Sequence, residues 1–250
     1  MNEQDEKNFG FERVSSKQKR TLVDALFSNV ADKYDLMNDL MSFGVHRLWK
    51  DEFCSMIPNL DSKILDVAGG TGDISFRIKE KAKKQNRRPH IVVCDINKDM
   101  LKVCQEKAID KNIIRKFDLV VGDAEKLPFP DNVFDYYTIA FGIRNVLNIE
   151  QVIKEAYRVL KPTGKFLCLE FSRIQNEIMK PIYEFYSFNF IPAIGNCIAK
   201  NKDAYKYLAE SISLFPDQET FKNMIIKEGF TDVNYKNLSF GIAAIHYGFK

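Results

Sequence analysis

The chain has 250 residues, of which 45% are hydrophobic and 28% are charged, a composition that can fill one sizeable core and excludes general disorder. Its 37 basic and 34 acidic residues leave a net charge of only +3, too small a basic excess for broad nucleic-acid binding. Five scattered cysteines form no CxxC pair, which argues against a disulfide framework or a cysteine zinc site and indicates a reducing compartment.

Residues 1–55 come before the first predicted strand of the main domain. Residues 1–15 are polar, lack an apolar signal region and are expected to form a flexible N-terminus. Apolar positions recur through residues 16–55 at the spacing of short helices, which predicts a helical N-terminal cap. No apolar run approaches the roughly 18 residues needed to cross a bilayer. We therefore expect a cytoplasmic protein, with peripheral contact at the inner membrane left open.

A regular alternation of strands and helices begins near residue 64. Five buried strands are predicted, over residues 64–68, 91–95, 117–121, 134–141 and 165–171. Helical patterns separate them, and Asn148 is a candidate cap for the helix before the fifth strand. This alternation predicts an α/β fold with a mainly parallel sheet that helices cover on both faces.

The pattern changes at residue 172. Residues 172–215 are rich in aromatic side chains, which we interpret as a helical lid insertion over the cofactor end of the sheet; packing into the core is the alternative. Asp217 is expected to cap a last helix and Gly229 to end it. Two final strands, over residues 233–238 and 243–249, should then pair antiparallel. Residues 16–250 are thus predicted to form one domain.

The strongest local signal is the segment Asp-Val-Ala-Gly-Gly-Thr-Gly-Asp at residues 66–73, between a strand and a helix. Glycines at such a junction let the backbone turn tightly and approach a ligand, so Gly69, Gly70 and Gly72 are predicted to bind a cofactor. The dinucleotide fingerprint fails, because Ser75 stands where its third glycine belongs. The spacing favours S-adenosylmethionine (SAM), which has no pyrophosphate to bind.

Acidic residues follow the next two strands. Asp95 ends the second strand, where its carboxylate can accept hydrogen bonds from both ribose hydroxyls. Asp123 follows the third strand and can accept from the adenine amino group, while the backbone N–H of Ala124 meets a ring nitrogen. An NAD enzyme also places an acid at the position of Asp95, so this residue alone does not choose the cofactor.

Several segments together resemble the ubiquinone/menaquinone biosynthesis C-methyltransferase family. Besides residues 66–73, they are Phe-Gly-Ile-Arg-Asn-Val at 141–146 and Tyr-Arg-Val-Leu-Lys-Pro at 157–162. Shorter matches lie at residues 33–35, 46–50, 169–172 and 215–221, and the similarity covers about residues 9–250. The resemblance implies a Rossmann-like class I methyltransferase fold, with a seven-stranded, mainly parallel sheet whose last strand is antiparallel.

The same resemblance implies a reaction and a set of contacts. SAM would methylate the ring of 2-methoxy-6-polyprenyl-1,4-benzoquinol or of a demethylmenaquinol, so the expected partner is a polyprenylated quinol. Carried over by position, the residues that contact SAM are Thr71, Asp95, Asp123 and Ala124. Ala140 departs from the family, which often has serine there; the change removes at most one hydrogen bond, roughly 0.5–1.5 kcal/mol.

Carbon methylation needs a ring made nucleophilic by loss of a phenolic proton, and it requires no metal. Arg144 is the first catalytic candidate, because its guanidinium can stabilise a phenolate or orient a water. Asn145 could fix that water or the substrate oxygen, and Tyr34 could contact the ring hydroxyl or the sulfonium. A surface ion pair for Arg144 and a core position for Tyr34 are the alternatives. His46 and His246 are interpreted as core groups.

Other functions stay open at this point. The acceptor could be another lipid-like molecule, such as a sterol or a phosphobase. The chain could also be a non-catalytic SAM-binding scaffold of a quinone-synthesis complex, and a homodimer is a further alternative. A nucleic-acid methyltransferase is disfavoured because no NPPY-type motif is found. A basic cluster within residues 79–88 most simply decorates a helix end, with anionic lipid contact as the alternative.

Overall fold

A computed structural model describes residues 6–30, 39, 42, 44–113, 117–174 and 202–250. The predicted lid falls largely outside these residues, and so does Tyr34. The division into cap, domain and lid therefore stays a prediction.

Residues 6–15 form a β-hairpin, although they fall in the segment expected to be a flexible N-terminus. Strands β1 (Glu6–Phe9) and β2 (Glu12–Ser15) pair antiparallel around Gly10. The hairpin is anchored by long-range contacts: the Phe9 ring stacks on Tyr207 at 4.4 Å between centroids, and the Phe11 N–H donates to Glu210 at 3.1 Å. These partners lie about 200 positions away in the sequence, so the local polar composition could not reveal them.

The central sheet confirms the predicted α/β class. Within the described residues it has seven strands in the order β5-β4-β3-β6-β7-β9-β8. The strands are β3 (Lys63–Val67), β4 (His90–Asp95), β5 (Phe117–Val121), β6 (Phe134–Ala140), β7 (Leu160–Phe171), β8 (Thr231–Leu238) and β9 (Ala243–Phe249). Only β9 runs antiparallel to both of its neighbours, as expected for the last strand.

Helices cover both faces of the sheet. Those of the described residues are α1 (Ser16–Val30), α2 (His46–Ser55), α3 (Asp73–Lys84), α4 (Lys98–Asp110), α5 (Ile149–Val159), α6 (Lys202–Leu214) and α7 (Gln218–Lys227). Helices α2, α3 and α4 contribute to one apolar cluster with Ile64, and α5 and α7 to another with Leu65. Adjacent residues of a strand point to opposite faces of the sheet, so Ile64 and Leu65 of β3 pack into the two separate apolar cores.

The predicted start of helix α5 and the predicted start and end of helix α7 are confirmed. Asn148 accepts a hydrogen bond from the Gln151 N–H at 3.1 Å, and Asp217 accepts one from the Thr220 N–H at 2.9 Å. Gly229 follows α7 with φ of 100°, a left-handed conformation that favours glycine. No helix in the described parts of the chain has the length and apolar character needed to cross a membrane.

Candidate active site

A cavity of about 440 Å³ lies where the parallel strands β5, β4, β3 and β6 end. The chain order of the strands reverses between β3 and β6, which is where open α/β sheets form their ligand crevice. The residues predicted to bind the cofactor that line this cavity are Gly69, Gly70, Thr71, Asp95, Asp123 and Ala124. Gly72, the remaining one, does not line it.

The glycine loop is shaped by close packing. A Cβ on Gly69 would lie 2.6 Å from a methyl carbon of Val93, so a side chain there would push the loop off the sheet. Gly70 has φ of 53°, and its N–H donates to Asp95 at 2.8 Å. Gly72 instead is the N-cap residue before helix α3, with φ of 85°, and a Cβ there would lie 2.5 Å from the Cys104 sulfur. Glycine is therefore required at position 72 by the packing of helix α3 against helix α4.

Two buried carboxylates form the floor of the cavity. Asp95 accepts from the N–H groups of Gly70 and Asn97, and Asp66 accepts from the hydroxyls of Ser75 and Thr138. Burial raises the pKa of Asp66 to about 6 and that of Asp95 to about 6, because the hydrogen-bond donors around them are neutral and compensate only partly. A cationic ligand would therefore stabilise the ionised form of either carboxylate.

Helix α1 crosses the cavity and is attached to three loops around it. Arg20 forms an ion pair of 3.0 Å with Asp123, which follows β5. Asn97, just after β4, donates to Asp24 at 2.8 Å and to Ser28 at 2.9 Å. These contacts were not predicted from the sequence. The signal that could have found them is the four-residue spacing of Arg20, Asp24 and Ser28, which places them on one helix face.

A third attachment of α1 involves a buried lysine. Lys19 donates to the carbonyl oxygen of Val146 at 2.8 Å, in the loop that follows β6. Burial lowers the pKa of Lys19 to about 8, with Glu125 opposing the shift. The helix is therefore fixed to the ends of β4, β5 and β6 together.

The other end of the cavity, beside β3 and β6, contains a buried ion pair. Lys50 donates to Asp73 at 2.7 Å, and both residues line the cavity. Lys50 lies in one of the segments that carry the family resemblance, but the sequence analysis assigned it no role.

Of the two predicted catalytic residues in the described part of the chain, one lines the cavity and the other does not. Asn145 lines the cavity, and its side-chain oxygen accepts from the Tyr207 hydroxyl at 3.0 Å. Arg144 does not line it: its side chain is 5% exposed and donates to Glu170 at 2.7 Å and to the Phe141 carbonyl at 2.7 Å. Burial raises the pKa of Glu170, and the charge of Arg144 opposes that shift. The guanidinium thus belongs to a buried pair, which is neither the surface position nor the direct ligand contact considered from the sequence.

The two histidines that were interpreted as core groups, His46 and His246, are buried and do not line the cavity. His46 pairs with Asp39 at 2.8 Å, and burial lowers its pKa. His246 contacts the Gln218 carbonyl, and burial lowers its pKa to about 4. Among the residues that the structure describes, no group of three or more His, Cys, Asp or Glu side chains is arranged to bind a metal ion.

The charges of the cavity fit SAM better than a dinucleotide. The acidic residues that line it are Asp24, Asp66, Asp73, Asp95, Asp123 and Glu125, and the basic ones are Arg20 and Lys50. Such a wall attracts a sulfonium and an ammonium group and repels a pyrophosphate. Ala140 also lines the cavity.

Comparison with known proteins gives the same assignment over nearly the whole chain. The model of the ubiE/COQ5 methyltransferase family matches residues 13–250. The Rickettsia bellii protein named ubiquinone/menaquinone biosynthesis C-methyltransferase UbiE is 58% identical over 243 residues, which cover 97% of this chain and 98% of that protein. The Rickettsia rickettsii protein of the same name is 59% identical over 239 residues, 96% of each chain.

Solved structures with lower identity share the fold. A SAM-dependent methyltransferase from Thermotoga maritima is 21% identical with a TM-score of 0.59, covering 90% of this chain and 99% of that one. Haemonchus contortus phosphoethanolamine N-methyltransferase 2, solved with SAM, is 15% identical with a TM-score of 0.58, covering 81% of this chain and 52% of that one. At these identities the similarity establishes the class I methyltransferase fold alone.

Proposed function

The chain belongs to the ubiE/COQ5 methyltransferase family, and from this we propose that it is a SAM-dependent C-methyltransferase of ubiquinone/menaquinone biosynthesis. Its substrate in this proposal is the ring of a polyprenylated benzoquinol, of a demethylmenaquinol, or of both. The observation that carries the proposal is the near-full-length identity of 58% to relatives named for that activity.

The cofactor contacts follow from the cavity. When bound, SAM supplies an electrophilic methyl group on a sulfonium. We propose that Asp95 accepts the ribose hydroxyls and that Asp123 and Ala124 contact the adenine. The glycine loop supports this placement because its backbone meets the cavity without intervening side chains. Helix α1, through its contacts with the ends of β4, β5 and β6, excludes water from the nucleoside end.

The acceptor ring is proposed to meet Asn145, the one predicted catalytic residue that both lines the cavity and lies within the described part of the chain. Asn145 can fix a ring oxygen by hydrogen bonding, because Tyr207 fixes its amide orientation. Arg144, its neighbour, is paired with Glu170 and does not line the cavity, so in this proposal it positions the loop that carries Asn145 and does not touch the ring. In the net reaction the ring exchanges one hydrogen for the methyl group, and that hydrogen leaves as a proton to solvent. Tyr34 remains a further candidate for contact with the ring.

The polyprenyl tail of the substrate needs an apolar binding surface. We propose that the aromatic side chains within residues 172–215 provide it. Such a tail resides in membranes, which is the reason to propose peripheral contact with the inner membrane. A homodimer or a quinone-synthesis complex is likewise a proposal that rests on the function alone.

The test is incubation of the purified chain with methyl-labelled SAM and reduced short-tail analogues of both quinol types, with product mass as the measurement. We expect a ring-methylated product from at least one quinol and none from a sterol or a phosphobase. A matched reaction with the oxidised quinones should give no product, since they lack the phenolic proton. SAM binding without methyl transfer to either quinol would contradict the proposal and favour the scaffold hypothesis.

A further inference from the structure

Lys50 is the buried cation of the cavity wall beside β3 and β6. We propose that it binds the α-carboxylate of the amino-acid tail of SAM, and that this contact lets the site select ligands carrying the tail. The inference rests on the proposed function, since it takes SAM as the ligand.

The direction of the ligand follows from the order of the strands. Asp123 follows β5 and Asp95 ends β4, so the adenine and the ribose occupy the β5–β4 side of the cavity. The next strands in the sheet are β3 and then β6. A molecule that extends from the ribose along this edge must place its tail beside the glycine loop and Phe141. Lys50 lies there, with its ammonium nitrogen 5.8 Å from the centre of the Phe141 ring.

The surroundings of Lys50 leave it able to take a second anion. Its side chain is only 4% exposed, yet it lines the cavity. An ammonium has three N–H donors, and among the described residues Asp73 accepts one of them. Asp73 is also contacted by Arg77, whose Nε lies 2.8 Å from its other oxygen. Arg77 also pairs with Asp51, so Asp73 is not the only carboxylate that neutralises it. What a second anion can use is the remaining N–H donors of the Lys50 ammonium, since Asp73 takes one of the three.

A helix terminus reinforces the same position. Helix α3 begins at Asp73 and has 12 residues, so its N–H groups and its dipole favour an anion at this end. The other cation of the cavity wall, Arg20, is 51% exposed and pairs with Asp123 at the nucleoside end. Within the described residues, a carboxylate beside β3 and β6 therefore meets Lys50.

Two ligands and two variants test this assignment. S-adenosylhomocysteine carries the amino-acid tail, and 5′-methylthioadenosine has the same nucleoside without it. In Lys50→Met we expect the affinity for S-adenosylhomocysteine, measured by calorimetry, to fall about 10- to 100-fold, as for a lost buried charged hydrogen bond. The affinity for 5′-methylthioadenosine should stay within about twofold, because methionine preserves most of the apolar stem and Arg77 still pairs with Asp73.

Arg77→Met is the matched control, since it removes the other cation on Asp73 from a residue that does not line the cavity. Both affinities should stay within about threefold of the wild type, and Lys50→Arg should recover part of the loss. An equal loss of both ligands in Lys50→Met, or no loss of either, overturns the role of Lys50. If Lys50→Met fails to fold, Lys50→Gln is measured with the same ligand pair. Failure of the wild type to bind S-adenosylhomocysteine would instead overturn the cofactor assignment.

Discussion

At the scale of single residues, the buried carboxylates Asp66 and Asp95 determine how the site responds to pH. The pKa of each is raised from 3.8 to about 6 by burial, since neutral donors stabilise the ionised form only partly. The unfolded chain has the ordinary value, so the folded state binds more protons between pH 4 and 6. The free energy of unfolding of the free protein therefore falls as the pH rises through this range.

Ligand affinity should depend on pH in the opposite direction. A sulfonium beside Asp66, and ribose hydroxyls that donate to Asp95, both favour the ionised carboxylate, so binding must release a proton at low pH. We expect the affinity for SAM to be nearly constant from pH 7 to 8 and to fall roughly tenfold per unit below pH 6. Calorimetry at pH 5, 6, 7 and 8 measures this dependence.

The control for that dependence is Asp66→Asn, which removes one titrating group; its oxygen replaces one of the two acceptors of Asp66, and its amide nitrogen can donate to the other hydroxyl. Its affinity should fall less steeply below pH 6 than that of the wild type. Equal affinity of the wild type at pH 5 and pH 7 would show that neither carboxylate titrates against the ligand.

The roles of single residues were predictable where the residue lies at the end of a predicted strand. Asp95 and the glycines lie at strand ends, and parallel strands bring their carboxyl ends to one edge. Arg144 was not predictable in the same way, because its direction is set by Glu170, 26 residues away on another strand. Without the strand pairing, an arginine in a loop cannot be assigned to a buried ion pair.

At the scale of elements, the side chain of Asn97 is one of the contacts that fix helix α1 over the cavity. The side-chain oxygen of Asn97 caps helix α4 by accepting from the Met100 N–H at 2.9 Å, while its nitrogen donates to Asp24 and Ser28. One side chain thus starts α4 and fixes α1 over the cavity. The two roles use different atoms and can be separated by substitution.

Asn97→Asp should detach α1 without uncapping α4. A carboxylate still accepts from Met100, but it cannot donate and it repels Asp24. Loss of these hydrogen bonds, roughly 0.5–1.5 kcal/mol each, should raise the dissociation rate of 5′-methylthioadenosine about tenfold in stopped-flow experiments. This ligand is neutral, so the added charge has little direct effect on it.

Asn148→Asp is the control for that substitution, because it changes the cap of α5 in the same way and does not line the cavity. Its dissociation rate should equal that of the wild type. If Asn97→Asp also left the rate unchanged, helix α1 would not control release of the ligand.

The main strands and helices were predictable because apolar residues recur in each with the period of that element, and because Asn148 and Asp217 mark the starts of two helices. The hairpin β1–β2 was not, since its stability comes from Tyr207 and Glu210 near the other end of the chain. The strand pattern predicted a parallel sheet, but it could not give the order of the strands, because a crossover can place the next strand on either side.

At the scale of the whole molecule, that order creates the cavity. Strand β6 follows β5 in the chain but pairs with β3, which opens a crevice between the two halves of the sheet. The cavity then receives walls from α1, from the glycine loop and from the ends of four strands. A ligand in such a position contacts elements from both halves, so its binding must stabilise the fold as a unit.

This coupling gives a prediction about thermal stability. A ligand that binds only the folded chain stabilises it by about 2.7 kcal/mol at a free concentration of 100 times its Kd. For a domain of this size that corresponds to an increase of the Tm of roughly 5–10 °C. We expect this increase with S-adenosylhomocysteine in scanning fluorimetry, and none with NAD at the same concentration, because the acidic cavity wall repels a pyrophosphate. Asp95→Asn should reduce the shift, since it removes the charged acceptor of the ribose while leaving the apolar core untouched. A shift with NAD and none with S-adenosylhomocysteine would mean that the crevice binds a nicotinamide cofactor.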